Sequence, residues 1–376
     1  MKTGTLDAQL LQQNISTRIY KDIHTQHISG AAVAVLQRGK MIYRAEFGYQ
    51  HPQRSEPLRS DAIFRIASMT KPITTVAVLQ LAQQGKLDLQ DEVAKYLPQY
   101  ARLPMVGGGY NTVPLRIWHL LTHTSSMEAD AGYRETARYQ IPAENNQTLA
   151  GAIDYYAALP LPFEPGTHRR YSGRVAFDVL GRIVEVVSGV EFAQYLQENI
   201  IEPCGMVDTT FAPSAEQWER VVGMHNYRDG MGVEEPTVPG CVVEECPVTH
   251  PLGGSGLIST LDDYIKFAQM LLCKGMAPGG RVLDEKWIDE MRKPQLPKEM
   301  MSENVNQGLG VRVITGDGYP WLPSGTFGWS GAYGTHYWVD PVNEIVAIYL
   351  KNSRHDGGSG AITGKHFEED VCSSLV

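Results

Sequence analysis

The segment Ser68-Met69-Thr70-Lys71 pairs a hydroxyl with an amine at a spacing that suits covalent catalysis. A serine hydroxyl is a weak nucleophile until a neighbouring group takes its proton. A lysine amine can be that neighbour when burial or nearby positive charge favours its neutral form. On a helix, residues i and i+3 share a face, so this spacing sets Lys71 beside Ser68. Pro72 is tolerated only in the first turn of a helix, which puts the helix start near Ser68 and gives its hydroxyl the positive end of the dipole. A lone Ser-x-x-Lys pair decides little, because chance supplies about one in a chain this rich in serine and lysine. A serine N-cap followed by a surface lysine would look the same.

Two later segments add the remaining chemistry. Pro162-Phe163-Glu164-Pro165-Gly166-Thr167 is a turn, and Tyr171-Ser172-Gly173 follows it just before an apolar helix. A phenol at that point can shuttle a proton to a leaving group, or simply pack as a hydrophobic staple. Gly328-Trp329-Ser330-Gly331-Ala332-Tyr333-Gly334 reads as the entrance to a late strand. Small residues there let a strand edge approach a substrate, and the N–H of Ala332 can join the N–H of Ser68 in an oxyanion hole. The plainer alternative is a glycine-rich bend beside a core tryptophan. No serine has glycine at both i−2 and i+2, so the nucleophile elbow of α/β-hydrolases is absent. His119 and His123 have a spacing that could hold zinc, but they lack the glutamate of H-E-x-x-H and read as structural. Glu164 reads as a turn residue.

These side chains need a frame. Residues 5–25 read as a surface helix, and Gly30–Leu36 and Met41–Gly48 as a hairpin closed at Gln37–Lys40. Residues 68–85 read as a helix, with Val76, Leu79, Leu81 and Ala82 apolar and Gly85 as its stop. Further helices fall near 114–122, 149–159, 174–188, 191–200, 262–274, 284–292 and 362–375. Residues 225–250 read as a long connection, and 308–313, 337–339 and 345–350 as strands. Strands at both ends of the chain, with helices between, point to an α/β (α+β) fold with an antiparallel sheet. The expected division is an α/β domain from 1–75 and 250–376, a mainly helical domain at 76–249, and an active site at their interface.

Composition narrows the function. The chain has 376 residues, 43% hydrophobic and 20% charged, with a net charge of -9. Such an acidic chain is ill suited to nucleic acid or an anionic membrane surface. No apolar run approaches the ~18 residues of a membrane span, and no signal-like apolar core follows the N-terminus. Cys204, Cys241, Cys246, Cys273 and Cys372 are odd in number and scattered, which fits free thiols in a reducing compartment. A cytoplasmic location, no cofactor and no metal are expected. Oligomeric state is not legible.

The three segments, in this order, resemble the serine β-lactamases and penicillin-binding proteins. Within them the chain is most similar to the branch nearest the class C enzymes, the family VIII carboxylesterases. Leu120-Leu121-Thr122-His123-Thr124-Ser125-Ser126 resembles the family's Leu-Leu-Thr-His-Thr-Ser-Gly, with Ser126 in place of glycine. Gly253-Gly254-Ser255-Gly256 resembles its glycine-rich turn, and the likeness extends from about residue 29 to 355. It implies the β-lactamase/DD-peptidase-like fold, with Ser68 as the acylated nucleophile and Lys71 and Tyr171 as general base and acid. It also implies an oxyanion hole from Ser68 and Ala332, and a small-molecule ester as substrate.

Two departures bear on that substrate. Trp329 stands where the family's Lys-Thr-Gly has its lysine, and Gly173 where Tyr-x-Asn has its asparagine. The first removes the positive charge that meets a β-lactam carboxylate, and the second an amide for an acylamino group. Both favour plain esters. Trp329, Gly331, Tyr333 and Met127 are the expected substrate contacts, with residues 128–148 and 225–250 shaping the pocket. The alternatives are an acyltransferase of the same fold, a β-lactamase or D-amino-acid peptidase, and a binding protein with an inactive site.

Overall fold

The two apolar runs near the N-terminus form a hairpin, β1 (Gly30–Gln37) and β2 (Lys40–Gly48). Arg38 and Gly39 close it, both at positive φ (50° and 72°), the twist that matches flanking strands. The computed structural model describes residues 4–53, 56–235, 250–358 and 360–376. Next along the chain, β3 (Ile63–Arg65) runs directly into the Ser68 segment, and β4 (Met224–Arg228) and β5 (Met231–Glu235) form a small hairpin. Then come β6 (Ile258–Thr260), the partner of β3, and a two-residue pair, β7 (Met276–Ala277) and β8 (Gly280–Arg281). The C-terminal strands are β9 (Val305–Gln307), β10 (Arg312–Ile314), β11 (Phe327–Ser330), β12 (His336–Asp340) and β13 (Ile345–Leu350).

Seven of these make one antiparallel sheet in the order β2-β1-β13-β12-β11-β10-β9. All eight residues of β1 are buried, because both faces of the sheet are covered. Ala31, Val33 and Val35 join one apolar cluster with Ile15 and Phe367 of the terminal helices, Ala8–His24 and Ile362–Ser373. Ala32, Ala34 and Leu36 face the other way, into the large core shared with the helices Thr70–Gln83 and Leu261–Leu272. The antiparallel sheet flanked by helices is therefore the architecture expected from the sequence. The helix at 70–83 is buried from Thr70 to Leu81, so it is packed on every side rather than on one face.

Several local expectations need correction. Residues 308–313 are not one strand. Gly308 N–H bonds to the Val311 carbonyl, Gly310 takes φ 65°, and the chain turns from β9 into β10. A Cβ on Gly310 would lie 2.0 Å from Thr75 Oγ1, so only glycine allows this contact with the helix. Residues 328–334 do lead into the late strand, and they also include the end of the one before it: β11 ends at Ser330, and 331–334 turn into β12. The connection at 225–250 begins as the β4–β5 hairpin, while 236–249, with Cys241 and Cys246, lie outside the described residues. A helix at Ala131–Tyr139 was not legible. No described helix is long and apolar enough to cross a membrane.

Candidate active site

Ser68 is delivered by an abrupt change of backbone direction. β3 ends at Arg65, Ala67 takes φ 45°, a 3₁₀ turn spans Ala67–Met69, and the helix starts at Thr70. A non-glycine residue in the left-handed region is strained, and such strain persists where surrounding contacts impose it. Here the contacts are specific. The Asn352 side chain accepts from Arg65 N–H and donates to the Arg65 carbonyl, both at 3.0 Å. Thr335 Oγ1 donates to the Ile66 carbonyl at 3.1 Å. A Cβ on Gly331 would lie 2.5 Å from that carbonyl, so the β11–β12 turn presses on the residues before Ser68. Gly331 thus stands behind the site wall rather than at its surface.

Lys71 is fully buried, with Nζ 3.1 Å from Ser68 Oγ. It also donates to the carbonyls of Gly173 and Gly254, each at 2.6 Å. Gly254 reaches this position by packing on the Arg174 backbone, where a Cβ would lie 2.7 Å from its carbonyl oxygen. The Tyr171 hydroxyl lies 2.7 Å from Ser68 Oγ, and the residue is 40% exposed and lines the cavity. One oxygen therefore meets both an amine and a phenol.

The tyrosine is supported by aromatic packing. His123 lies 4.7 Å from its ring and stacks on Trp329 at 5.7 Å and 14°. Burial, with Arg169 and Lys71 nearby, holds the His123 imidazole well below the usual histidine range, so it is neutral. Its Nδ1 accepts from Ser172 N–H at 3.3 Å. His119 Nδ1 accepts from Arg116 N–H at 3.1 Å, and the two histidines serve separate backbone contacts. Glu164 accepts from the N–H groups of Thr112 and Val113, as befits a turn residue.

Glu128 is a site-supporting residue that sequence reasoning missed. Its buried Oε2 accepts from Ser172 Oγ, Arg174 N–H and Val175 N–H at 3.1, 2.6 and 3.1 Å. It therefore caps the helix Val175–Ser188 immediately after Tyr171. Asp178 on that helix pairs with Arg174 at 3.3 Å and accepts from Gly254 N–H at 3.2 Å. Burial pushes its carboxyl up to about 6. Nothing in the local sequence around residue 128 signals a cap for a helix that begins 47 positions later.

A second polar chain backs β11. Ser330 Oγ lies 2.8 Å from His336 Nδ1, and His336 Nε2 lies 3.1 Å from Glu368 Oε1. Glu368 also receives Arg312 at 2.6 Å and Tyr319 at 2.8 Å. Burial alone would raise its carboxyl, but Arg312 and His336 hold it down to about 2. His336 thus bridges the Ser330 hydroxyl and the Glu368 carboxylate. The chain anchors Ser330 on the wall of the cavity. Because the folded-state value is depressed below 4.5, the ionised carboxylate stabilises the fold above that pH and ceases to do so as pH falls through about 2. Glu368→Gln leaves Arg312 without its counter-charge and is expected to cost about 3–5 kcal/mol in urea unfolding at pH 7. A cost under ~1 kcal/mol would mean that the pair contributes little.

These residues surround a cavity of about 480 Å³. Ser68, Tyr171, Trp329, Ala332 and Tyr333 line it, as expected from the sequence. Met127 does not. It is wholly buried in the core, where a flexible apolar side chain fills space. Among the described residues, 128–148 and 225–250 contribute nothing to the wall. Met301, Val305, Gln307, Arg169 and Gly358 do instead, brought in by β9 and by the loops before Tyr171 and after β13.

The β-lactamase family model matches residues 11–366. Protein Rv1367c of Mycobacterium tuberculosis is 33% identical over 352 residues, spanning 86% of this chain and 85% of that one. Esterase EstB of Burkholderia gladioli is 29% identical over 382 residues, spanning 96% and 95%. Among solved structures, EstCE1, described as a hydrolase with promiscuous acyltransferase activity, superposes with a TM-score of 0.83. Its sequence identity is 24%, covering 97% of this chain and 99% of that one.

Proposed function

The chain belongs to the β-lactamase family, and from that premise we propose that it is a serine carboxylesterase of the family VIII type, acting through an acyl-enzyme on Ser68. One observation carries the reading: Ser68 Oγ sits 3.1 Å from Lys71 Nζ and 2.7 Å from the Tyr171 hydroxyl, inside a cavity large enough for a small ester. The two carbonyls at 2.6 Å fix Lys71 Nζ beside Ser68 Oγ, where a deprotonated amine would present its lone pair. Ser68 Oγ attacks the ester carbonyl as its proton passes to Lys71. The N–H groups of Ser68 and Ala332 hold the oxyanion, and Tyr171 gives its phenol proton to the departing alkoxide and is reprotonated from Lys71. Water then attacks the acyl-enzyme by the same route in reverse, releasing the acid. In this reading the site lies between an α/β portion (1–75 and 250–376) and a mainly helical portion (76–249).

Trp329 favours esters over β-lactams. A neutral indole cannot make the charge-assisted bond of the family lysine, a loss of ~1.5–3 kcal/mol for a carboxylate ligand at that point. It offers an apolar wall instead, stacked on the neutral His123 ring. The similarity to Esterase EstB supports the same choice.

The test is a panel of p-nitrophenyl esters and nitrocefin, run with and without added alcohol, beside labelling with a fluorophosphonate probe. We expect rapid ester turnover, nitrocefin turnover at least 100-fold lower in kcat/KM, and one adduct on Ser68. Release of the acid as new ester whenever alcohol is present would favour the acyltransferase reading. No labelling and no ester turnover by the folded protein would overturn the proposal.

A further inference from the structure

Three arginines line the cavity beside Ser68, Arg169, Arg174 and Arg312, and no aspartate or glutamate is among the described lining residues. Two of the three charges are neutralised behind the wall. Arg174 pairs with Asp178 at 3.3 Å, and Arg312 with Glu368 at 2.6 Å. Arg169 differs. Its described hydrogen bond is from Nη2 to the Oε1 of Gln307, a neutral amide, at 3.1 Å. Its Nε is buried without an acceptor. No ion pair to Arg169 occurs among the described residues.

Gln307 is built to hold Arg169 in place. It is buried, and its Nε2 donates to the carbonyls of Gly308 and Val311 at 3.1 and 3.0 Å. With both amide hydrogens engaged, the amide oxygen has to face Arg169. The guanidinium is thereby oriented by a partner that leaves its charge uncompensated. Burial lowers its proton affinity below the ordinary arginine value, yet a guanidinium stays charged across the physiological range. A largely buried cation without a counter-charge is costly, and a bound anion removes that cost.

We propose that Arg169, oriented by Gln307, forms an anion subsite that selects esters carrying a second, ionised carboxyl group, such as hemiesters of dicarboxylic acids. This rests on the esterase reading above and names its substrate class. The charge missing at Trp329 is thus present on another wall of the same cavity. A planar guanidinium suits bidentate contact with a carboxylate. The remaining wall, with Met301, Val305 and Trp329, suits the methylene chain between the two carboxyl groups.

The experiment compares p-nitrophenyl hemiesters of adipic and suberic acid with the neutral hexanoate and octanoate esters. It uses the wild type, Arg169→Met and Arg169→Lys. The wild type is expected to favour at least one hemiester over its neutral counterpart at least tenfold in kcat/KM, with the preference falling as salt is added. Arg169→Met is expected to lower that ratio at least tenfold, chiefly through KM, and Arg169→Lys to restore part of it. A wild-type preference for both neutral esters overturns the inference, whatever the variants do. So does an equal loss on acidic and neutral esters, which would assign Arg169 to the support of Tyr171. In both cases Ser68-dependent hydrolysis of the neutral esters persists. Failure of the esterase reading itself would instead abolish turnover of both classes in the wild type.

Discussion

Ser68→Ala is expected to lower kcat/KM for p-nitrophenyl acetate and butyrate by about 10⁴–10⁶-fold, the scale on which removal of a catalytic nucleophile acts in serine hydrolases. The alanine deletes the atom on which the acyl-enzyme forms. Oxyanion donors and substrate binding remain, and together they leave a residual rate over water of roughly 10³–10⁴-fold. The fold should be barely affected. Ser68 is only 6% exposed, but its Oγ contacts are to Lys71 and Tyr171, and alanine fits the same turn as Ala67. Steady-state release of p-nitrophenol, a melting curve, and mass spectrometry of the quenched reaction make the measurement. The wild type should show an acyl adduct on the peptide containing Ser68, and the variant none. Activity within tenfold of wild type would remove Ser68 from the mechanism.

Lys71→Met is expected to slow acylation by about 10²–10⁴-fold, the usual range for loss of a positioned general base. Methionine keeps the length of the side chain and loses the amine. The carbonyls of Gly173 and Gly254 then lose their donor, at about 1–3 kcal/mol for each group left unsatisfied. A lower melting temperature should accompany the kinetic loss, unlike Ser68→Ala. Stopped-flow release of p-nitrophenol under single-turnover conditions isolates the acylation step. Acylation at the wild-type rate in a folded Lys71→Met protein would transfer the base role to Tyr171, whose hydroxyl is nearer to Ser68 Oγ than the amine is.

The geometry also separates direct roles from supporting ones. His123, Glu128 and Asp178 meet one another through Tyr171, Ser172 and Arg174, and none lines the cavity. Their buried polar groups hold the two carbonyls around Lys71 and the phenol beside Ser68. The Ser330–His336–Glu368 chain does the same for β11, one residue past Trp329. Such chains rigidify a site because each member leaves no alternative partner for the next.

Much of the fold was legible because its signals are local. The hairpin of β1 and β2 follows from two apolar runs around Arg38-Gly39, and the helix at 70–83 follows from periodicity and the glycine stop at Gly85. The turn at 308–311 was misread, and the strand that ends at Ser330 was missed, for the opposite reason. Gly310 is placed by Thr75 and Gly331 by Ile66, contacts over more than 200 residues that leave no mark on the neighbouring sequence.

By itself, the sequence determined which side chains were available for chemistry. Pro72 and the i, i+3 spacing set Ser68 and Lys71 near one helix start, and the resemblance to the family places Trp329 where its pattern has a lysine. Only the tertiary structure decided that Tyr171 meets them, that Met127 turns into the core, and that Arg169 faces the cavity beside a neutral Gln307. The physical reason is distance along the chain. Helix and turn propensities act over a few residues, whereas these placements depend on glycines, buried carboxylates and strand pairings that join segments tens to hundreds of residues apart.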